Sequence, residues 1–148
     1  MRIVGEWHLC DDGVTRPIVR AKVLGKSGIL IVDDWLIDTG ADRTVLSASL
    51  LARLGLPIRT AQPDVTLSGI GGASAFVLIT TVVALVRDDG GPARIGGEFA
   101  GFIDPTATDL SVLGRDVLDH FDLILSRRQN EIFLLSPRQQ YRVEENRQ

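Results

Sequence analysis

Cysteine is nearly absent, with Cys10 the single one in 148 residues. That excludes an internal disulfide, a paired-cysteine redox centre and a thiolate zinc cluster. Histidine is almost as scarce, with only His8 and His120, so one chain cannot supply a multi-histidine metal site. Lysine is rare too: fourteen of the sixteen basic residues are arginine, a bias that carries no functional meaning by itself. No basic segment leads into an apolar core at the N-terminus, so a secretory signal is not expected. The longest apolar run, AFVLITTVVALV, is shorter than the roughly 20 residues of a membrane helix and rich in threonine. A net charge of −3 argues against a general binder of nucleic acid or anionic membranes. The expectation is a soluble, cytoplasmic protein with neither nucleic acid nor membrane among its partners.

A chain of 148 residues is expected to form one domain, burying about two-thirds of its unfolded surface without staples. Short β-branched runs punctuated by Gly, Asp and Pro predict a mainly β protein. Strands are predicted over 2–9, 17–24, 29–38, 93–103, 109–113, 121–125 and 130–135, with turns at 25–28 and 87–91. A further hairpin is predicted from DVTL through SGIGG into ASAFVLITTVVALV. Val45, Leu46, Leu50, Leu51 and Leu54 recur at helical spacing and end at Gly55, a good C-terminal cap. Val117, Leu118 and Phe121 mark a second short helix. Residues 1–15 read as an N-terminal extension or strand, 16–136 as the domain, and 137–148 as a polar, flexible tail.

Chemistry concentrates in WLIDTGADRTVLS, residues 35–47. An apolar strand runs into Asp38, and Thr39 and Gly40 turn the chain at once. A carboxylate is thus expected at the end of an apolar strand, among largely apolar neighbours. Gly40 lets backbone or ligand approach without a side chain in the way, and Thr39 offers a hydroxyl that can lock the turn. The tripeptide by itself is equally a strand-capping turn; its context separates the two readings.

That context resembles the retropepsin-like, or retroviral-type, aspartic proteases over residues 16–135. The stretch RPIVRAKVLGKSGILIVDDWLIDTGADRTVLS is similar to the family's opening half, and the glycine-rich SGIGG to its flap hairpin. FIDPTATDLSVLGRDVL resembles the later loop, strand and helix, and FDLILSRRQNEIFLL the C-terminal strands. The departures are about fifteen extra residues before Arg16 and a longer path from the flap to LGRD; they bear on the terminal strands and the dimer interface. The resemblance implies a retropepsin-like closed β-barrel lobe with a flap and one or two short helices, dimerising. It implies an aspartic endopeptidase acting on polypeptides. One Asp-Thr-Gly per chain implies a homodimer in which Asp38 of each subunit shares one water. No cofactor and no metal are implied. By resemblance, Thr39 hydrogen-bonds across the two-fold axis and Gly40 offers its carbonyl to substrate. Ala41 stands where two-lobed relatives carry serine, which implies a mildly acidic optimum. Asp42 binds a substrate amide, Ile70, Gly71 and Gly72 form the flap tip, and Leu110 and Val112 line pockets. Asp42, Arg115 and Arg16 form a charged triad in which Arg115 neutralises Asp42 within a subunit and Arg16 reaches across the dimer.

A non-catalytic dimeric module that binds peptides or scaffolds a complex is the alternative from another class, because fold alone does not dictate function. Aromatic residues make up only 5% of the chain, which suits aliphatic pockets without identifying a substrate. Outside the motif, Trp35 reads as core or interface packing and Cys10 as a small buried residue. His120 reads as a helix C-terminal residue. Asp33–Asp34 and Asp88–Asp89 read as solvated turn or edge charges.

Overall fold

Alternation between buried and exposed residues runs cleanly along β2 (Thr15–Leu24), where Val19, Ala21 and Val23 are buried and Arg20, Lys22 and Leu24 are exposed. This period of two puts one face of the strand on a core and the other in water. The computed structural model describes residues 1–60, 67–69, 72–74, 76–107 and 109–136, with backbone alone at 67–69 and 72–74. The remaining strands are β1 (Arg2–Leu9), β3 (Leu30–Ile37), β4 (Val45–Leu46), β5 (Arg59–Thr60), β6 (Leu67–Gly69), β7 (Gly72–Ser74) and β8 (Phe76–Val86). They continue with β9 (Pro92–Phe102), β10 (Ser111–Leu113), β11 (Asp122–Ser126) and β12 (Glu131–Leu135); the helices are α1 (Ala48–Leu54) and α2 (Arg115–Leu118).

The strands join in the order β11-β12-β1-β2-β3-β10-β4-β9-β8-β5, and β2 also pairs with β8. That extra pairing closes β2, β3, β10, β4, β9 and β8 into a ring, which removes the exposed edges an open sheet would present. One edge of β2 is shared: its first half pairs with β1 and its second with β8. The ring encloses a core built on Trp35, Ile79, Leu85, Leu113, Val19 and Leu46, with α1 adding Leu50 and Leu54. Burying each such aliphatic side chain contributes roughly 1.5–3 kcal/mol. The architecture is mainly β, as the residue pattern leads one to expect.

Within this frame β10 lies between β3, to which it is parallel, and β4, to which it is antiparallel. The loop 38–44 must therefore pass around the end of β10 to link two strands that do not touch in the sheet order. β6 and β7 form a separate antiparallel ribbon with Gly69 opposite Gly72. Ile70 and Gly71 lie outside the described residues, as does the tail from 137.

The first helix is shorter than its spacing suggests. Val45 and Leu46 are not helical but form β4, bridging β10 and β9. Their side chains are buried by these non-local partners, and the helix begins only after Ser47, whose side chain accepts a hydrogen bond from the Leu50 N–H. Gly55 ends it in the left-handed conformation that glycine adopts without strain. The extension before Arg16 is a full strand, β1, seated between β12 and β2. Trp35 is fully buried in the core, and Cys10 is only half-buried.

Candidate functional site

Even-numbered residues at the end of β3 face away from the core, since Trp35 and Ile37 are buried. Leu36 and Asp38 therefore share one face. Asp38 is half-buried, and Thr39 and Gly40 after it are exposed, so this turn is a crest on the surface of the single chain. Asp38 holds its position by backbone: its N–H donates to the Leu113 carbonyl at 3.1 Å, and its own carbonyl accepts from Ala41 at 3.2 Å. One carboxylate oxygen accepts the Gly40 N–H at 2.9 Å. A Cβ at position 40 would stand 3.2 Å from that same oxygen, so glycine keeps the carboxylate uncrowded. Among the described residues the other oxygen and the Thr39 hydroxyl have no hydrogen-bond partner.

The rest of the loop is clamped from below. Arg115 N–H donates to the Ala41 carbonyl at 2.8 Å and Asp116 N–H to the Asp42 carbonyl at 3.3 Å. Thr44, fully buried, gives both its N–H and its hydroxyl to the Asp116 carboxylate, at 2.8 and 2.6 Å. Its hydroxyl oxygen in turn accepts the Gly114 N–H at 3.0 Å. Gly114 has to be glycine, because a Cβ there would lie 2.4 Å from the Arg43 carbonyl carbon and oxygen. Below this sits a second link, in which Ser111 Oγ accepts from the Ser47 N–H at 3.0 Å and donates to Asp33 at 3.3 Å.

Asp42 and Arg115, expected to pair, form an ion pair at the exposed end of the clamp. Arg16 has another partner within the chain. Its two terminal nitrogens hold both oxygens of Asp12 at 2.8 and 2.7 Å. These hydrogen bonds, helped by the Val14 N–H, pull the Asp12 carboxyl down to about 2 and push the Arg16 guanidinium up. The β2–β3 register, with Ile18 opposite Leu36, would bring Arg16 level with Asp38 if continued by two residues. Beside Arg16 opens a cleft of about 290 Å³ lined by Leu36, Asp109, Leu110 and the β1–β2 turn. Val112, opposite both Leu36 and Val45, is partly buried against the cluster of Val45, Phe76, Leu78 and Ala100. Gly72 heads β7.

Asp33 and Asp34 lie in β3, not in a turn. Asp34 takes Arg20 at 2.9 Å. Asp33 is half-buried beneath Ser111, and desolvation pushes its carboxyl up. Thr44, Ser111, Gly114 and Asp116 carry the bracing, yet their types announce nothing; the available signal is their place inside the DRTVLS and SVLGRD motifs. Among the described residues no group of three or more His, Cys, Asp or Glu is placed to hold a metal ion. No described helix is long and apolar enough to cross a membrane.

A family model described as aspartyl protease matches residues 19–117, a span that runs from β2 through the loop to α2. The chain belongs to the aspartyl protease family. No curated protein matches its sequence. Among solved structures, this aspartyl protease relative is similar to a retropepsin-like aspartic protease from Rickettsia conorii, with TM-score 0.60, 17% identity and coverage of 90% of this chain and 89% of the other. It is also similar to the EIAV protease complexed with the inhibitor HBY-793, with TM-score 0.50, 23% identity and coverage of 70% and 86%. The retroviral protease-like domain of Ddi1 from Leishmania major aligns at TM-score 0.49 and 17% identity, covering 82% and 95%. The fold is retropepsin-like.

Proposed function

We propose that the chain is a homodimeric aspartic endopeptidase in which Asp38 of each subunit meets on a two-fold axis. The observation that carries this reading is the backbone-braced Asp38-Thr39-Gly40 turn, present once per chain. A single carboxylate cannot serve as both general base and general acid, and an isologous dimer supplies the second. Two carboxylates facing one water share a proton and titrate as a pair, as aspartic proteases generally do. The ionised member takes a proton from the water as it attacks the peptide carbonyl; the protonated member donates to the carbonyl oxygen, and a proton then passes to the leaving nitrogen.

The remaining roles follow from this arrangement. Thr39 locks the pair across the axis, Gly40 and Asp42 meet the substrate backbone, and Arg115 keeps Asp42 in place. Arg16 leaves or shares Asp12 to reach the partner subunit's Asp42. The β6–β7 ribbon serves as a flap over an extended polypeptide whose side chains enter pockets at Leu110 and Val112. Mixing wild type with Asp38→Asn chains tests the shared pair. Activity should fall more steeply than the fraction of wild-type chains, because mixed dimers hold one competent carboxylate. Activity strictly proportional to that fraction would contradict it.

A further inference from the structure

We propose that the outer face of β2, β8 and β9 is a binding site for a small amphiphilic anion, an aliphatic chain ending in a carboxylate. The face lies at the far end of β3 from Asp38: Leu30 starts the strand and Asp38 follows its end, a separation of roughly 26 Å at the usual strand rise. A cavity of about 490 Å³ is sunk into it, within the approximate 300–1,000 Å³ range of small-molecule sites.

Its shape follows from residue size. Val83 and Leu85 point into the core, so Val82, Ala84 and Val86 point outward and form the floor. Ala84 stands between Lys22 on β2 and Arg94 on β9 in one cross-strand row, and Val82 faces Gly96 in a neighbouring row. Small residues between long ones leave a trough. Leu24 and Leu30 edge it and are 37% and 55% exposed, and Val86 at the end of the floor is 40% exposed. Because β2 and β8 are antiparallel, the turns after each strand close opposite ends, with Gly28 at one and Gly90 and Gly91 at the other. The floor from Val82 to Val86 is roughly 13 Å long at the usual rise, so the site is bounded and a chain running straight through does not fit.

Charge decides the occupant. The lining holds Lys22 and Arg94 and no carboxylate, and neither cation forms an ion pair among the described residues, whereas Arg20 on the same face is taken by Asp34. Lys22 and Arg94 stand two strand spacings apart, about 9.6 Å, and their long side chains can converge on one carboxylate above Ala84 while the aliphatic part lies along the floor. A second copy of this face would set four like charges together, which excludes self-association through it.

The test is an amide-resolved NMR titration of the full chain with sodium decanoate below its micellar concentration, beside decanol and a short peptide ending in a free aliphatic carboxylate. The expected result is saturable shifts confined to the rows around Lys22, Ala84 and Arg94. Affinity should fall at least about tenfold in the Lys22→Gln/Arg94→Gln double variant and vanish in Ala84→Phe, which fills the trough. Absence of saturable shifts, decanol binding as tightly as decanoate, undiminished binding in the double variant, or binding of the peptide alone would each overturn the proposal. None of these readouts depends on proteolysis, so the outcome is independent of the proposed catalytic role.

Discussion

At its C-terminal end β3 runs into a loop tied to β10 and α2 through Asp38, Ala41, Asp42 and Thr44. At its N-terminal end Ile29, before the strand, and Leu30, its first residue, are exposed, and Leu30 lines one cavity with Lys22 and Arg94, which form no ion pair among the described residues. One end uses its polar groups to hold a backbone still; the other leaves side chains open to solvent. The contrast follows from topology. β10 wedges between β3 and β4 only at the Asp38 end, so only there does a second layer of backbone exist for the loop to bond with. A catalytic carboxylate needs that placement, since a displacement of about 1 Å can cost two orders of magnitude in rate. A site that binds a flexible aliphatic chain does not.

Two glycines make the largest test of this difference. Gly114→Ala places a methyl group on the Arg43 backbone, which cannot step aside, and should cost about 3 kcal/mol or more in urea unfolding. Gly96→Ala, whose Cβ would meet only Val82 at 3.7 Å, should be within about 0.5 kcal/mol of wild type. Equal costs would erase the contrast. Next in size, Thr44→Val removes the hydroxyl that bonds Asp116 and leaves the Gly114 N–H unpaired, for a loss of about 2 kcal/mol. Thr80→Val, on an exposed position of β8, should change stability by less than about 0.5 kcal/mol.

Arg115→Ala separates stability from function. Its ion pair with Asp42 is exposed, so unfolding free energy should drop by less than about 1 kcal/mol. Dimerisation and peptide cleavage should nevertheless fall together, read by sedimentation and by activity at low protein concentration. Full activity on dilution would refute the role given to this pair. The smallest effect belongs to Asp33→Asn. Burial raises the Asp33 carboxyl above its ordinary value, so the folded state binds its proton more tightly than the unfolded one. Stability from this group is present below the unfolded pKa and is lost as pH rises through the folded value. The substitution should therefore raise the melting temperature slightly at about pH 7, with the gain vanishing near about pH 3; a gain unchanged across that range would contradict the assignment.

The strands are largely legible in the sequence because alternation is local: β2, β3 and β9 can be read from their own residues. Val45 and Leu46 mislead because two adjacent apolar residues before a helix fit its spacing, and only β10 and β9, distant in sequence, make them a strand. Asp33 resembles a solvated charge for the same reason, since Ser111 covers it from 78 residues away. The Asp38 loop is visible as a motif, but its bracing by Thr44 and Asp116 is not, because a threonine and an aspartate have too many ordinary uses. Arg16 is instructive in another way. Asp12 stands four residues before it, a partner within reach of a hairpin, while the family resemblance directs attention to Asp42 of another subunit.

Peptide hydrolysis is the work proposed for Asp38. A peptide library incubated with wild type and with Asp38→Asn, from about pH 4 to 7, and read by mass spectrometry tests it most directly. The predicted result is cuts by the dimeric wild type, strongest at mildly acidic pH, and none by the folded variant. Cuts that persist in Asp38→Asn, or their absence from a wild type shown to be dimeric, would contradict it.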